Sequence, residues 1–417
     1  MAGPTQQTTT QMIDLSGLQV AQAVHQVIAH AVAERASDLM LLANEDFYAI
    51  NIRHLGVIRP ISIVSHDLGK RFSQHIKAQA GMDVAEHRHP HDGRWLYDDI
   101  AEAMQSGDAA ESIVDLRIST VPTLHGEDMV IRLLSRSSGL FDLKDIGLSK
   151  KELGQVKLML DSPGGLILCC GPTGSGKTAT LYAALKYLND GTRKINTIED
   201  PIEFAITGLR QSQINHTVGI HFAEILKGVL RQSPDVIMIG EIRDRETATT
   251  AVHAANSGHI VLSTIHAPVA AAAIESMRSL GVNNHFLATA LRGVISQRLV
   301  RTLDPERRVE YDISHAPQIF EPITHLLDDI DGKTFYAPGA SDDHTGYDGQ
   351  TGIFEVMTMN TPLRNLVSNG ADTTHLREQA HKDGMLDFKS NALLKVAQGK
   401  TSIEEVFRMI PAEYLED

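Results

Sequence analysis

The sequence predicts an α/β protein: a nucleotide-binding domain on a parallel sheet, with a small α+β domain before it and a helical region after it. Three observations carry this. Residues 171–178 read Gly-Pro-Thr-Gly-Ser-Gly-Lys-Thr, a complete G-x-x-x-x-G-K-[ST] phosphate-binding loop. The loop stands between the apolar run Leu166-Ile167-Leu168-Cys169-Cys170, short enough for a buried strand, and residues 179–185, apolar at helical spacing. From 150 to about 300, helical patterns alternate with apolar strands, the signature of a parallel sheet.

The elements follow in order. Residues 1–14 are Thr/Gln-rich and are expected to form a disordered lead-in. They have neither the basic start nor the apolar core of a signal peptide. Residues 15–135 are expected to form the α+β domain. Leu18, Val20, Ala23, Val24, Val27, Ile28 and Ala31 predict a helix over 15–42. Strand-like pieces follow at 47–52, 112–119 and 129–134. Residues 136–149 read as a linker and 150–300 as the nucleotide-binding core. Within 301–417 a polar stretch precedes helical segments near 361–369, 373–382, 386–398 and 402–410.

Hydrophobic residues make up 42% of the 417-residue chain and charged residues 22%, an ordinary globular balance. The net charge of −14 argues against general nucleic-acid binding through a basic surface, though not against a local basic channel. The two cysteines, Cys169 and Cys170, are adjacent on a core strand and point to opposite faces. They are expected to be buried apolar side chains in a reducing compartment, not a disulfide or redox pair. No apolar run approaches the length of about 18 residues that a transmembrane helix needs.

The chemistry gathers around the loop. Gly171, Pro172, Thr173, Gly174, Ser175, Gly176, Lys177, Thr178 and Ala179 form the cofactor-binding set. Their glycines let backbone N–H groups close on phosphate oxygens, and the helix N-terminus adds positive charge. Lys177 would reach the terminal phosphates and the Thr178 hydroxyl would hold Mg²⁺. The bland alternative is a glycine-rich turn with no ligand. Downstream, Val236-Ile237-Met238-Ile239 runs into Gly240-Glu241, a buried strand followed by an acid. Gly240 stands where an Asp is usual, so Glu241 is the expected base for the attacking water. Glu199, Asp200 and Glu203, three carboxylates in five residues, could hold Mg²⁺ or the water, or form a solvated turn around Pro201. His266 ends the strand-like run 260–265 and could sense the terminal phosphate.

These blocks together resemble the type II and type IV secretion ATPases. The carrying residues are 171–182, 198–203, 231–244 and 257–266, with Glu34-Arg35-Ala36-Ser37-Asp38, 115–123, 126–132 and Gln297-Arg298-Leu299-Val300-Arg301. The branch most similar is that of type II secretion and type IV pilus assembly motors. The resemblance implies a RecA-like P-loop ATPase domain behind a PAS-like N-terminal domain. It implies hexameric rings using ATP and Mg²⁺ and working on an inner-membrane platform protein from the cytoplasmic side. It also implies that Glu199, Asp200 and Glu203 form an acidic box, with Glu199 and Asp200 near Mg²⁺ and Glu203 catalytic. By the same resemblance Glu241 and His266 are catalytic, and Arg117 and Arg132 match N-terminal-domain arginines that approach the phosphates. Read alone, each arginine is equally an ordinary strand-face residue.

Two departures stand out. Longer members carry a further N-terminal domain, whereas here residues 1–14 alone precede the first expected helix. The assembly branch carries paired cysteines with the spacing of a Cys₄ zinc site. Here those places hold Leu303-Asp304-Pro305-Glu306 and residues 339–347, without cysteine. No zinc is expected, since His315, His325 and His344 lack paired spacing and Asp342 and Asp343 read as solvated. The expected function is an ATP-hydrolysing motor for pilus or secretion-machine assembly. The alternatives are a retraction or DNA-transfer ATPase and a non-hydrolysing nucleotide switch.

Overall fold

A computed structural model describes residues 12–97, 114–135, 141–215, 218–311, 335–339 and 345–414. The chain divides into two units, residues 1–139 with 340–346, and residues 140–339 with 347–417.

The first unit opens with α1 (Val20–Ala33), whose buried Ala23, Val24, Val27, Ile28 and Ala31 form one apolar stripe. Then come β1 (Asp38–Ala43), β2 (Phe47–His54), β3 (Val57–Ser65), α2 (His66–Gln79), β4 (His91–Tyr97), β5 (Val114–Thr123) and β6 (Gly126–Ser135). They build a six-stranded antiparallel sheet in the order β3-β2-β1-β6-β5-β4. The helices pack over Leu39, Leu41, Ile50, Ile52, Leu116, Ile118 and Ile131.

The helix expected over 15–42 covers only the middle of that span, and 38–43 is a strand instead. It ends at Ala33, Arg35 takes a positive φ of 50°, and β1 begins at Asp38. The run Leu39-Met40-Leu41-Leu42 is apolar enough for either element. Pairing with β2 on one side and β6 on the other satisfies its backbone as a central strand.

The second unit runs α3 (Lys150–Leu160), β7 (Gly165–Cys170), α4 (Lys177–Leu188), β8 (Ile195–Glu199), β9 (Arg210–Gln213), α5 (Phe222–Leu230) and β10 (Val236–Ile239). It continues with α6 (Arg245–Asn256), β11 (Ile260–Ile265), α7 (Ala272–Ser279), α8 (Asn284–Ala290) and β12 (Leu291–Leu303). A two-stranded ribbon, β13 (Val309–Tyr311) and β14 (Phe335–Ala337), precedes β15 (Tyr347–Thr358). The last helices are α9 (Thr361–Ser368), α10 (Thr373–Lys382), α11 (Phe388–Ala397) and α12 (Ile403–Met409).

The main sheet has the order β15-β12-β7-β11-β10-β8-β9 and is parallel except for β15, which returns antiparallel to β12. Residues beyond 300 therefore add an edge strand to the same sheet before the helices begin. Strands β7, β10 and β11 are buried at every residue, as a sheet covered on both faces requires. Cys169 and Cys170 point into different cores, one with Leu181 and Tyr182, the other with Ile237 and Val261. Burial pushes both thiols up, Cys170 to about 12, so neither is a ready thiolate. In the stretch read as a linker, Leu143 is buried and Ile146 and Leu148 pack beside it.

Candidate active site

The carboxyl ends of β7, β8, β10 and β11 bring the expected site together. Parallel pairing sets their registers, so Cys170, Glu199, Ile239 and Ile265 all finish at one edge of the sheet. This is the edge where open α/β sheets bind ligands.

The phosphate loop spans the turn from β7 to α4. Gly176 caps α4 with φ 85°, a left-handed conformation that glycine adopts without cost. A side chain at Gly171 would meet the Gln297 carbonyl at 2.4 Å, so the loop lies directly against β12. Around Gly174 there is open space instead. The loop is thus closed toward the protein and open toward solvent, which fits a phosphate chain received by backbone N–H groups at a helix N-terminus. Lys177 Nζ donates to the carbonyls of Gly171 and Pro172, both at 2.9 Å. Burial lowers its pKa, against the opposing pull of Glu241. A half-buried ammonium on two neutral carbonyls is poised for a stronger anionic partner.

Glu241 follows β10. Its Oε2 accepts from Arg243 Nε at 2.7 Å and lies 2.6 Å from Arg243 Nη2. Its buried Oε1 lies 2.7 Å from His266 Nε2 but is not aligned as a hydrogen bond. Lys177, Glu241 and Arg243 therefore share one charge cluster with His266 against it, and Asp200 contributes to the field at Arg243. Asp200 and Glu203 are exposed on the loop after β8. Thr178, at the start of α4, is partly exposed. Thr178 and Asp200 have the oxygen chemistry that Mg²⁺ prefers.

Glu199 differs. It is buried, and its Oε1 accepts from Thr197 Oγ1 at 2.5 Å and from Gln211 Nε2 at 3.1 Å. Its Oε2 accepts from the Tyr182 hydroxyl. The carboxylate expected near Mg²⁺ thus faces inward.

Arg117 and Arg132 lie in the first unit, directly opposite one another on β5 and β6. Arg132 Nε donates to Asp38 Oδ1 at 3.1 Å. His315, His325, Asp342, Asp343 and His344 lie outside the described residues. Among the described residues no cluster of three or more His, Cys, Asp or Glu could hold a metal ion. Among them, too, no helix is long and apolar enough to cross a membrane.

Two further contacts shape the site. Arg243 stands two residues from Glu241, a spacing visible in the sequence, and holds its carboxylate. Gln297, buried on β12, donates from Nε2 to the Ser175 carbonyl at 2.6 Å and clamps the phosphate loop.

The profile of the family described as type II/IV secretion system protein matches residues 16–408. The type II secretion system protein E of Xanthomonas campestris is 40% identical over 392 residues, spanning 94% of this chain and 67% of its own. The type IV pilus assembly ATPase PilB of Pseudomonas aeruginosa is 35% identical over 391 residues, spanning 94% and 67%. Among solved structures, the ATPase DotB of Legionella pneumophila superposes with a TM-score of 0.70 over 96% of this chain and 98% of its own. At 18% identity that likeness speaks for the RecA-like secretion ATPase fold alone.

Proposed function

The chain belongs to the type II/IV secretion system protein family, and we propose that it is the ATP-hydrolysing motor of a type IV pilus-like or type II secretion-like assembly machine. One observation carries the chemistry: the phosphate loop, its lysine, the acid Glu241 and His266 meet at one sheet edge within a single unit. In this reading the loop residues 171–179 bind the phosphates of ATP, and Lys177 leaves its two carbonyls to neutralise the terminal phosphate. Thr178 and Asp200 would hold Mg²⁺, which would supply charge neutralisation on the phosphate oxygens. Glu241 takes the proton of the attacking water, and Arg243 holds that carboxylate in place until it does. His266 and Glu203 border the reacting end, and Arg117 and Arg132 stabilise the charge that develops there. The protein works as a homo-oligomer, a hexameric ring, on the cytoplasmic side of an inner membrane and against a platform protein.

The test is phosphate release by the purified full chain. Lys177→Ala should abolish tight ATP binding. Glu241→Gln should keep binding and lose about 10²–10⁴-fold in rate, as loss of a general base does. A wild-type chain that binds ATP without releasing phosphate would favour a nucleotide switch. Turnover in Glu241→Gln near the wild-type rate would remove Glu241 from the chemistry. Retraction as the alternative to assembly is decided by which membrane protein co-purifies.

A further inference from the structure

We propose that Tyr182 is a positioning residue that ties the phosphate-loop helix to the acidic loop 200–206, with Glu199 as its buried anchor rather than a metal ligand. The inference rests on the ATPase reading of this site. Tyr182 lies in the second turn of α4, on the helix that begins at Lys177, and is buried. Its hydroxyl donates to Glu199 Oε2 and accepts from the backbone N–H of Glu203 at 3.3 Å and of Phe204 at 3.5 Å. The Phe204 ring stands edge-on to the Tyr182 ring, with centroids 6.0 Å apart. One phenol thus holds both the end of β8 and the loop that carries Asp200 and Glu203.

Gln211 on β9 makes a second set of pins. Its Nε2 donates to Glu199 Oε1 and, at 2.9 Å, to the Phe204 carbonyl, while its Oε1 accepts from the Ile206 N–H at 2.7 Å. Glu199 therefore accepts from three donors, Tyr182, Thr197 and Gln211. An ionised carboxylate has room for about four, so little capacity remains for a cation. Burial, and then the bond to Glu199, push the Tyr182 hydroxyl up, which keeps it a donor at any working pH. Such a hub sets the path of the backbone on either side of Asp200, because Glu199 and Glu203 are both tied to the helix that carries Thr178. Outer partners of this kind typically change metal affinity by about 10–100-fold when removed.

The experiment uses the full chain and two variants, Tyr182→Phe and Gln211→Leu. A fluorescent nucleotide analogue reports affinity without Mg²⁺, and phosphate release reports the Mg²⁺ concentration for half-maximal rate. Both variants should bind Mg²⁺-free nucleotide within about twofold of wild type, because Lys177 and the loop are intact. Both should need about tenfold more Mg²⁺. In an Asp200→Asn background neither should raise the requirement further, because they act through Asp200. A wild-type Mg²⁺ requirement in both variants would overturn the proposal, as would full-size additional losses in the Asp200→Asn background. If Tyr182→Phe does not fold, Gln211→Leu decides alone. A wild-type chain without turnover sinks the ATPase reading itself, a different result from a working enzyme indifferent to Tyr182.

Discussion

Gln297 shows how much of this site depends on single contacts made far along the chain. Its amide is the buried donor to the Ser175 carbonyl, inside a loop whose shape decides phosphate binding. Gln297→Leu keeps the bulk and removes the donor. An unpartnered buried carbonyl costs about 1–3 kcal/mol, and ATP affinity should fall about tenfold, since roughly 1.4 kcal/mol is a factor of ten. A nucleotide titration checks this, and unchanged affinity would mean the loop keeps its shape without the clamp. The phosphate loop, Glu241 and His266 were legible because each sits at the end of an apolar strand, a local pattern. Gln297 was not, because its partner is 122 residues away and only the pairing of β12 with β7 brings them together. Glu199 was legible as an acid but not as an inward-facing one. Sequence gives residue 199 a carboxylate, whereas Thr197 and Gln211 decide where it points.

Among the elements, β15 carries a consequence that can be measured. Glu355 on this strand is buried, and its Oε2 accepts from the Ala270 N–H at 2.9 Å. Burial, only partly offset by that bond, pushes its carboxyl up from 4.5 to about 7. The folded state therefore holds a proton that the unfolded chain has already released between about pH 4.5 and 7. Stability from this group falls as pH rises through that window and stays low above it. The size is on the order of 3 kcal/mol, at about 1.4 kcal/mol per pKa unit. Glu355→Gln should flatten thermal stability across pH 4.5–7 and raise the midpoint at pH 8. Parallel melting curves for the two proteins would rule this out. The strand itself was unread, because its run after Gly346 lies beyond the region of alternating strands and helices. The four C-terminal helices were read almost to the residue. Asn360, Asp372, Asp387 and Ser402 cap them, and each side chain accepts from a backbone N–H three residues on. Local signals mark helix ends well, whereas the choice between helix and strand at 38–43 was made by long-range pairing.

At the scale of the whole molecule, a chain of net charge −14 places a row of arginines across the sheet of its first unit. Cross-strand register aligns Arg94, Arg117, Arg132, Asp38 and Arg53 on β4, β5, β6, β1 and β2. Asp38 pairs with Arg132 and Arg53, and Asp115 takes Arg94 through two bonds of 2.8 Å. Like charges directly opposite in a sheet are destabilising by up to about 1 kcal/mol per pair, and Arg117 has an arginine on each side. Arg132→Ala leaves buried Asp38 with only Arg53 and the Ser37 hydroxyl. The thermal midpoint should therefore fall in Arg132→Ala. If both arginines serve the ATP chemistry of the second unit, phosphate release should drop at least about tenfold in both, a modest share of what charge-stabilising groups contribute. Lost turnover at an unchanged thermal midpoint in Arg117→Ala is a result that an ordinary strand-face residue does not produce. Full turnover in that variant, whatever its melting point, would return Arg117 to the surface of the sheet and leave the ATP chemistry to residues 171–266.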